Sequence, residues 1–340
     1  MRKRIGKICL GLAVLAGGLS AQVLINAAGA TFPYPIYSKW FDEYHKLHSD
    51  IQINYQSIGS GGGIRQVTEG TVDFGATDGP MNDTQLQQFK AKRGCEVLHF
   101  PTVLGAAVAA YNVPGLNAEL NFTPEALVGI FLGRITKWND PELAKANPKA
   151  KLPGQTIVVV HRSEGSGTTY MWVDYLSKVS AEWKKRVGTG ASVNWPVGLG
   201  GKGNEGVAGQ IKQTPYSIGY IELIYAIQNK MAYGRIRNSA GEFIKPDLAS
   251  VTAAAAGVKE MPDDFRVSIT NSPGKTAYPI SSFTWLLIPQ KIPDPKRREA
   301  IKGFLRWMLS TGQGLAQALD YAPLPKLVVA KETAAIAKIQ

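Results

Sequence analysis

The stretch HRSEGSGTTY, residues 161–170, follows the apolar β-forming run TIVVV and precedes the amphipathic stretch MWVDYLSKV. A strand therefore feeds a helix through a Gly-Ser-Gly-Thr turn, with Arg162 and Glu164 at the junction. A helix start carries backbone N–H groups without partners and the positive end of the helix dipole. Glycines let the backbone close around an anion, and Ser or Thr adds a hydroxyl donor. Arg162 precedes Ser166 in the same segment, and its planar guanidinium suits an oxyanion. Two other stretches offer the same chemistry, Ala30-Thr31-Phe32 and Gly59-Ser60-Gly61. Capping and turn formation explain a single Gly-Ser loop. Three such places, one beside an arginine, point to an oxyanion site.

Working outward, strands alternate with helices along the chain. IQINYQSI reads as a half-buried strand, GSGGG as a loop, and IRQVTEG as a short helix. VDFGATDG is a short strand ending in a turn, and the apolar run from Phe100 a long strand. The Gly-rich run PVGLGGKGNEG precedes a helix, VAGQIKQTP, and a strand-like SIGYIEL. PISSFTWLLIP is a strand, REAIKGFLRWMLST a helix, and KLVVAKETAAIAKI a closing helix, while the stretch from Arg235 to Thr276 has no clear period. This alternation predicts α/β layers with largely parallel sheets. The pattern strand, Gly/Ser loop, helix occurs as INYQSI-GSGGG-IRQV and as IVVVHRSE-GSGT-TYMWV, far enough apart to place the two copies in different domains. Ligands of open α/β sheets sit at the carboxyl ends of strands, where these loops lie.

The chain has 340 residues, enough for two domains, with 44% hydrophobic and 19% charged residues. MRKRIGK is a basic start, and ICLGLAVLAGGLSA a short apolar run ending in small residues. Together they predict an export signal cleaved after Ala21. Lys7 and Ile8 before Cys9 do not make a lipoprotein cleavage context, so no lipid anchor is expected. Without that segment Cys95 is the one cysteine, and no intramolecular disulfide can form. The formal net charge of +12 favours anionic partners, but no basic stripe interleaved with aromatics suggests nucleic acid.

Enzyme motifs fail on spacing. GLGGKGN lacks the earlier glycine of a phosphate-binding P-loop, and Gly203 stands where Ser or Thr is needed. Ile58 and Glu164 occupy the first position of the would-be hydrolase elbows IGSGG and EGSGT. Alternation along the strand puts His161 opposite Arg162, away from any serine nucleophile. His45 and His48 share a helix face, but no downstream cluster completes a metal site.

Asp78, in FGATDGP, admits two readings. It is a turn-forming residue, or it is a carboxylate facing the anion. The second is repulsive unless the anion brings a proton, as hydrogen phosphate does at neutral pH and sulfate does not.

AGATFPYPIYSKW (28–40), YQSIGSGGG (55–63), VDFGATDGPM (72–81), FLGRITKWNDP (131–141), HRSEGSGT (161–168), WPVGLGGKGNEGVAGQI (195–211), IGYIEL (218–223) and DYAPLP (320–325) occur in this order. Over about residues 27–330 the chain resembles the periplasmic phosphate-binding proteins of phosphate-specific ABC transporters. The resemblance implies a two-lobe periplasmic-binding-protein α/β fold, with the ligand in a cleft between lobes joined by two crossing strands. It implies a first lobe of residues 22–101 and 279–340 and a second of 102–278. It implies that Thr31, Phe32, Ser60 and Asp78 from one lobe, and Arg162, Ser166, Gly167 and Thr168 from the other, hold inorganic phosphate, with Glu164 pairing Arg162. It further implies a monomer in the periplasm, no cofactor, no catalysis, and delivery to membrane permease subunits. Three positions depart from the family pattern: Gly61 replaces a second serine, Ala27 a glycine, and Glu164 an aspartate.

Overall fold

The computed structural model describes residues 22–258 and 260–340; the expected signal segment, with Cys9 and the cleavage point after Ala21, lies outside the described residues. The first part of the chain forms β1 (Val23–Gly29), α1 (Tyr34–Leu47), β2 (Ile51–Ser57), α2 (Ser60–Glu69), β3 (Phe74–Thr77), α3 (Asp83–Arg93) and the long β4 (Val97–Asn112). Helix α1 starts at a proline-rich turn and buries Ile36, Tyr37, Trp40, Phe41 and Tyr44, the 3.6-residue period of one apolar face. The GSGGG run is not a loop but the first turn of α2. Glycine disfavours a helix by about 1 kcal/mol per residue, yet here bulk is forbidden: a Cβ on Gly63 would lie 2.6 Å from the Gly29 Cα. Close approach of helix to strand overrides propensity.

The chain continues as β5 (Asn121–Phe122), α4 (Pro124–Phe131), α5 (Pro141–Ala146), β6 (Val158–Arg162), α6 (Gly167–Val179), α7 (Ala181–Arg186), β7 (Leu199–Gly201), α8 (Gly203–Gln213), β8 (Ser217–Glu222) and α9 (Leu223–Gln228). Helix α8 starts inside the Gly-rich run rather than after it. Short strands β9 (Ala232–Tyr233), β10 (Arg235–Arg237) and β11 (Phe243–Ile244) precede α10 (Leu248–Ala255), β12 (Ser281–Pro289), α11 (Pro295–Leu309) and α12 (Lys326–Ala335). A small sheet of β11, β10 and β5 fills part of the stretch that had no period in the sequence.

The main sheet runs β2-β1-β3-β12-β4-β8-β6-β7, with β9 paired to β4 off this path. It is parallel at both flanks, where β1 pairs with β2 and β3, and β6 with β7 and β8. Its centre is antiparallel, because β12 pairs against β3 and β4, and β4 against β8. The sheet is therefore mixed rather than largely parallel. Strand β4 changes partner along its length, lying on β12 up to Ala106 and on β8 from Ala107. A bulge between Thr284 and Trp285 faces Pro101 and Thr102 on β4, a place where a strand tolerates proline. Strand β4 thus carries the chain from one half of the sheet to the other, and the chain returns just before β12, where the Ile280 carbonyl accepts the Ala107 N–H. Cys95 is buried.

Candidate functional site

The carboxyl ends of β1, β3 and β6 and the starts of α2, α6 and α8 meet between the two halves of the sheet. Ser60 opens α2, and its Oγ accepts from the backbone N–H of Asp78 at 3.2 Å and of Gly167 at 3.0 Å. The Gly61 N–H donates to the Gly165 carbonyl at 2.9 Å. Backbones come this close because side chains are missing: a Cβ on Gly61 would lie 3.0 Å from the Gly165 Cα, and one on Gly167 would lie 2.6 Å from the Asp78 amide nitrogen. The two halves touch, and the eight residues expected at the site are brought together there, seven of them at 3% exposure or less and Gly167 buried as well.

The loop of Thr31 and Phe32 is held from its carbonyl side. Tyr225 Oη donates to the Thr31 carbonyl and Tyr321 Oη to the Phe32 carbonyl, both at 2.6 Å. In a planar trans peptide the following N–H points the opposite way, so the Phe32 N–H faces away from Tyr225. Across the cleft, Ser166 caps α6, its Oγ accepting from the Thr169 N–H at 3.1 Å. Arg162 is 3% exposed. Its Nε and Nη2 donate to Glu164 Oε1, the first at 3.0 Å, and its Nη1 donates to Thr168 Oγ1 at 3.3 Å. The same Glu164 oxygen accepts the Gly203 N–H at 3.0 Å. Glu164 thus pairs with the arginine and also reaches the start of α8. The Arg162 backbone N–H is anchored by Tyr220 Oη at 3.1 Å, and the Tyr220 ring stacks between those of Trp172 and Trp195. His161 faces the other way, its ring stacked on Trp195.

The hydroxyls of the site have a common polarity. A hydroxyl has one proton to give and two lone pairs to fill. Thr31 Oγ1 accepts two N–H bonds, both from Asn204. Ser60 Oγ accepts two, and Thr168 Oγ1 accepts one from Arg162 and one from Asn204. With both lone pairs filled, each of these oxygens is left only to donate.

Asp78 is the counterpoint. It is 1% exposed, and its Oδ1 accepts from Thr284 Oγ1 at 2.8 Å. Burial pushes its carboxyl up to about 7, while Thr284, Arg162 and Ser60 pull it back. Glu222 is fully buried, with Oε2 accepting the Ile224 N–H at 2.8 Å and Oε1 without a partner among the described residues. Burial holds it well above the usual carboxylate range, and the neighbouring Asp78 adds to that.

Asn204, Thr284, Tyr220, Tyr225 and Tyr321 were not singled out by sequence reasoning. Asn204, Tyr220 and Tyr321 fall within the family-like segments GKGNEG, IGYIEL and DYAPLP, which was the one signal available. Among the described residues no group of three or more His, Cys, Asp or Glu could hold a metal ion, and no helix is long and apolar enough to cross a membrane.

The PBP superfamily domain matches residues 17–311. A Pasteurella multocida protein named "Phosphate-binding protein PstS" is 45% identical over 333 residues, covering 97% of this chain and 94% of its own. A Methanocaldococcus jannaschii protein of the same name is 39% identical, covering 86% of this chain and 80% of its own. A crystal structure of a phosphate binding protein from Stenotrophomonas maltophilia superposes with a TM-score of 0.71 at 16% identity, over 92% of this chain and 93% of that one, and so shares the fold.

Proposed function

Since the chain belongs to the phosphate-binding protein family of the PBP superfamily, we propose that it holds inorganic phosphate in this cleft and delivers it to the permease subunits of an ABC transporter. The observation that carries the reading is the polarity of the site. Three hydroxyls are saturated as acceptors, an arginine and helix N-termini add N–H donors, and one carboxylate faces them. That set suits an oxyanion carrying one proton, which Asp78 accepts. The ligands are Thr31, Phe32, Ser60 and Asp78 from the first lobe and Arg162, Ser166, Gly167 and Thr168 from the second, with Glu164 fixing Arg162. The lobes are residues 22–101 with 279–340, and residues 102–278. Hydrogen bonds to a charged group contribute ~1.5–3 kcal/mol each. Several of them, less the cost of association and closure, reach the ~8 kcal/mol of micromolar affinity.

The protein acts as a monomeric carrier, exported to the periplasm by residues 1–21, and not as a catalyst. The family is one of binding proteins, which supports this, and turnover of p-nitrophenyl phosphate would count against it. The test is calorimetric titration of phosphate-stripped protein at neutral pH with phosphate and then sulfate. Tight one-to-one phosphate binding with no sulfate response is expected. Equal binding of the two would make the protein a general oxyanion carrier, and no response to either would end the reading.

A further inference from the structure

We infer that Asn204 is a positioning residue that fixes the Thr31 and Thr168 hydroxyls as donors to the bound anion; this rests on the phosphate reading and deepens it. Asn204 is fully buried near the start of α8. Its Oδ1 accepts the Glu222 backbone N–H at 2.9 Å. Because that N–H can only donate, the amide orientation is set, and Nδ2 must face the cleft. Nδ2 has two hydrogens and two partners, Thr31 Oγ1 at 2.8 Å and Thr168 Oγ1 at 3.3 Å. The Asn204 backbone N–H fills the second lone pair of Thr31 at 3.3 Å, and Arg162 Nη1 that of Thr168. Neither threonine can then accept a hydrogen bond from the ligand, and each has its proton free to give.

The residue also bridges the cleft. Thr31 follows β1 and Thr168 lies in α6, so one amide ties together hydroxyls from the two halves. Its anchor, Glu222, pairs with Ala107, where β4 takes its new partner. Asn204 is thus fastened to the sheet next to the place where the halves join. It orients donors on both sides at once without itself needing to touch the anion.

The test is a mutant cycle read by titration with inorganic phosphate. Asn204→Ala is made in the wild type and in the Thr31→Val/Thr168→Val background. If Asn204 acts through the two hydroxyls, its loss lowers affinity on the order of tenfold to a hundredfold in the wild type and less than about twofold in the valine background. An equal loss in both backgrounds means a purely structural role and overturns the inference, while the phosphate reading stands. Asn204→Asp, which keeps the shape and the Glu222 bond, is the second arm should the alanine variant fail to fold. Its carboxylate accepts from both hydroxyls and turns them away from the anion. Its loss should exceed a hundredfold in the wild type and be smaller in the valine background; a loss no larger in the wild type overturns the inference. A wild-type protein that takes up no phosphate removes both readings together.

Discussion

Asp78→Asn should make the phosphate-free protein more stable at pH 8 and spoil its ligand preference. The Asp78 carboxyl is buried, and its value rises from an ordinary 3.8 to about 7 in the folded protein. The folded state therefore holds a proton that the unfolded state has already lost between those two values. The stability tied to that proton is full below pH ~4 and is lost as pH rises through about 7. At ~1.4 kcal/mol per pH unit, the span amounts to a ceiling of roughly 4 kcal/mol. Asparagine removes the titration while its carbonyl still accepts the Thr284 hydroxyl. The assay is urea unfolding of phosphate-stripped wild type and variant at pH 5 and pH 8. Between these, the wild type should lose about 2–3 kcal/mol relative to the variant. Glu332, raised by burial alone, titrates alike in both proteins and cancels, whereas Glu222, which the Asp78 charge helps to raise, is coupled to Asp78 and its change belongs to the same difference. Parallel pH profiles would refute the reasoning. In titrations at pH 8, where the Asp78 carboxyl is ionised, the same variant should bind phosphate about tenfold or more weaker and gain a measurable response to sulfate, because an amide can donate where the carboxylate only accepts.

Arg162→Ala should weaken phosphate binding by roughly a hundredfold or more, and an affinity within twofold of wild type would remove the residue from the site. Gly167→Ala places a Cβ 2.6 Å from the Asp78 amide nitrogen, so the halves cannot meet. Its affinity should fall at least about tenfold, with the unfolding midpoint of the ligand-free protein little changed; full affinity would show that the contact is dispensable. Glu332 is fully buried with neither carboxylate oxygen bonded among the described residues, and burial alone raises its carboxyl well above the usual range. Glu332→Leu should stabilise the protein by about 1–3 kcal/mol at pH 8 and by less at pH 4, without altering phosphate affinity. A destabilised variant at pH 8 would mean that the carboxylate has a partner.

Local turn chemistry was legible in the sequence. Gly59-Ser60-Gly61 and Gly165-Ser166-Gly167-Thr168 announce the starts of α2 and α6, because a helix start resides in backbone geometry that glycine and serine dictate nearby. Arg162 and Glu164 were legible for the same reason. What failed was non-local. GSGGG looked like a loop because propensity is a local quantity, whereas the pressure for small residues comes from Gly29 and Gly165 on other segments. The sheet was expected to be largely parallel because alternation along the chain cannot reveal a late strand inserted antiparallel into an early set. Asn204 and Thr284 sit in stretches whose local features, a Gly-rich run and a strand, say nothing about the oxygen each will meet.

The place of β12 has a consequence for how the chain is assembled. Strands β3 and β4 are made early, yet β12 lies between them and pairs with both. Until the chain has been synthesised from Asn112 to Pro289, they must leave a slot for one strand, two interstrand spacings or roughly 10 Å across. Each then exposes a row of unpaired N–H and C=O groups, of the kind that recruits other chains. The half containing β6, β7 and β8 is contiguous and can organise first, while the half that begins the chain must wait for its last strand. A polypeptide threaded through a membrane unfolded, and released whole on the far side, never has to hold that slot open.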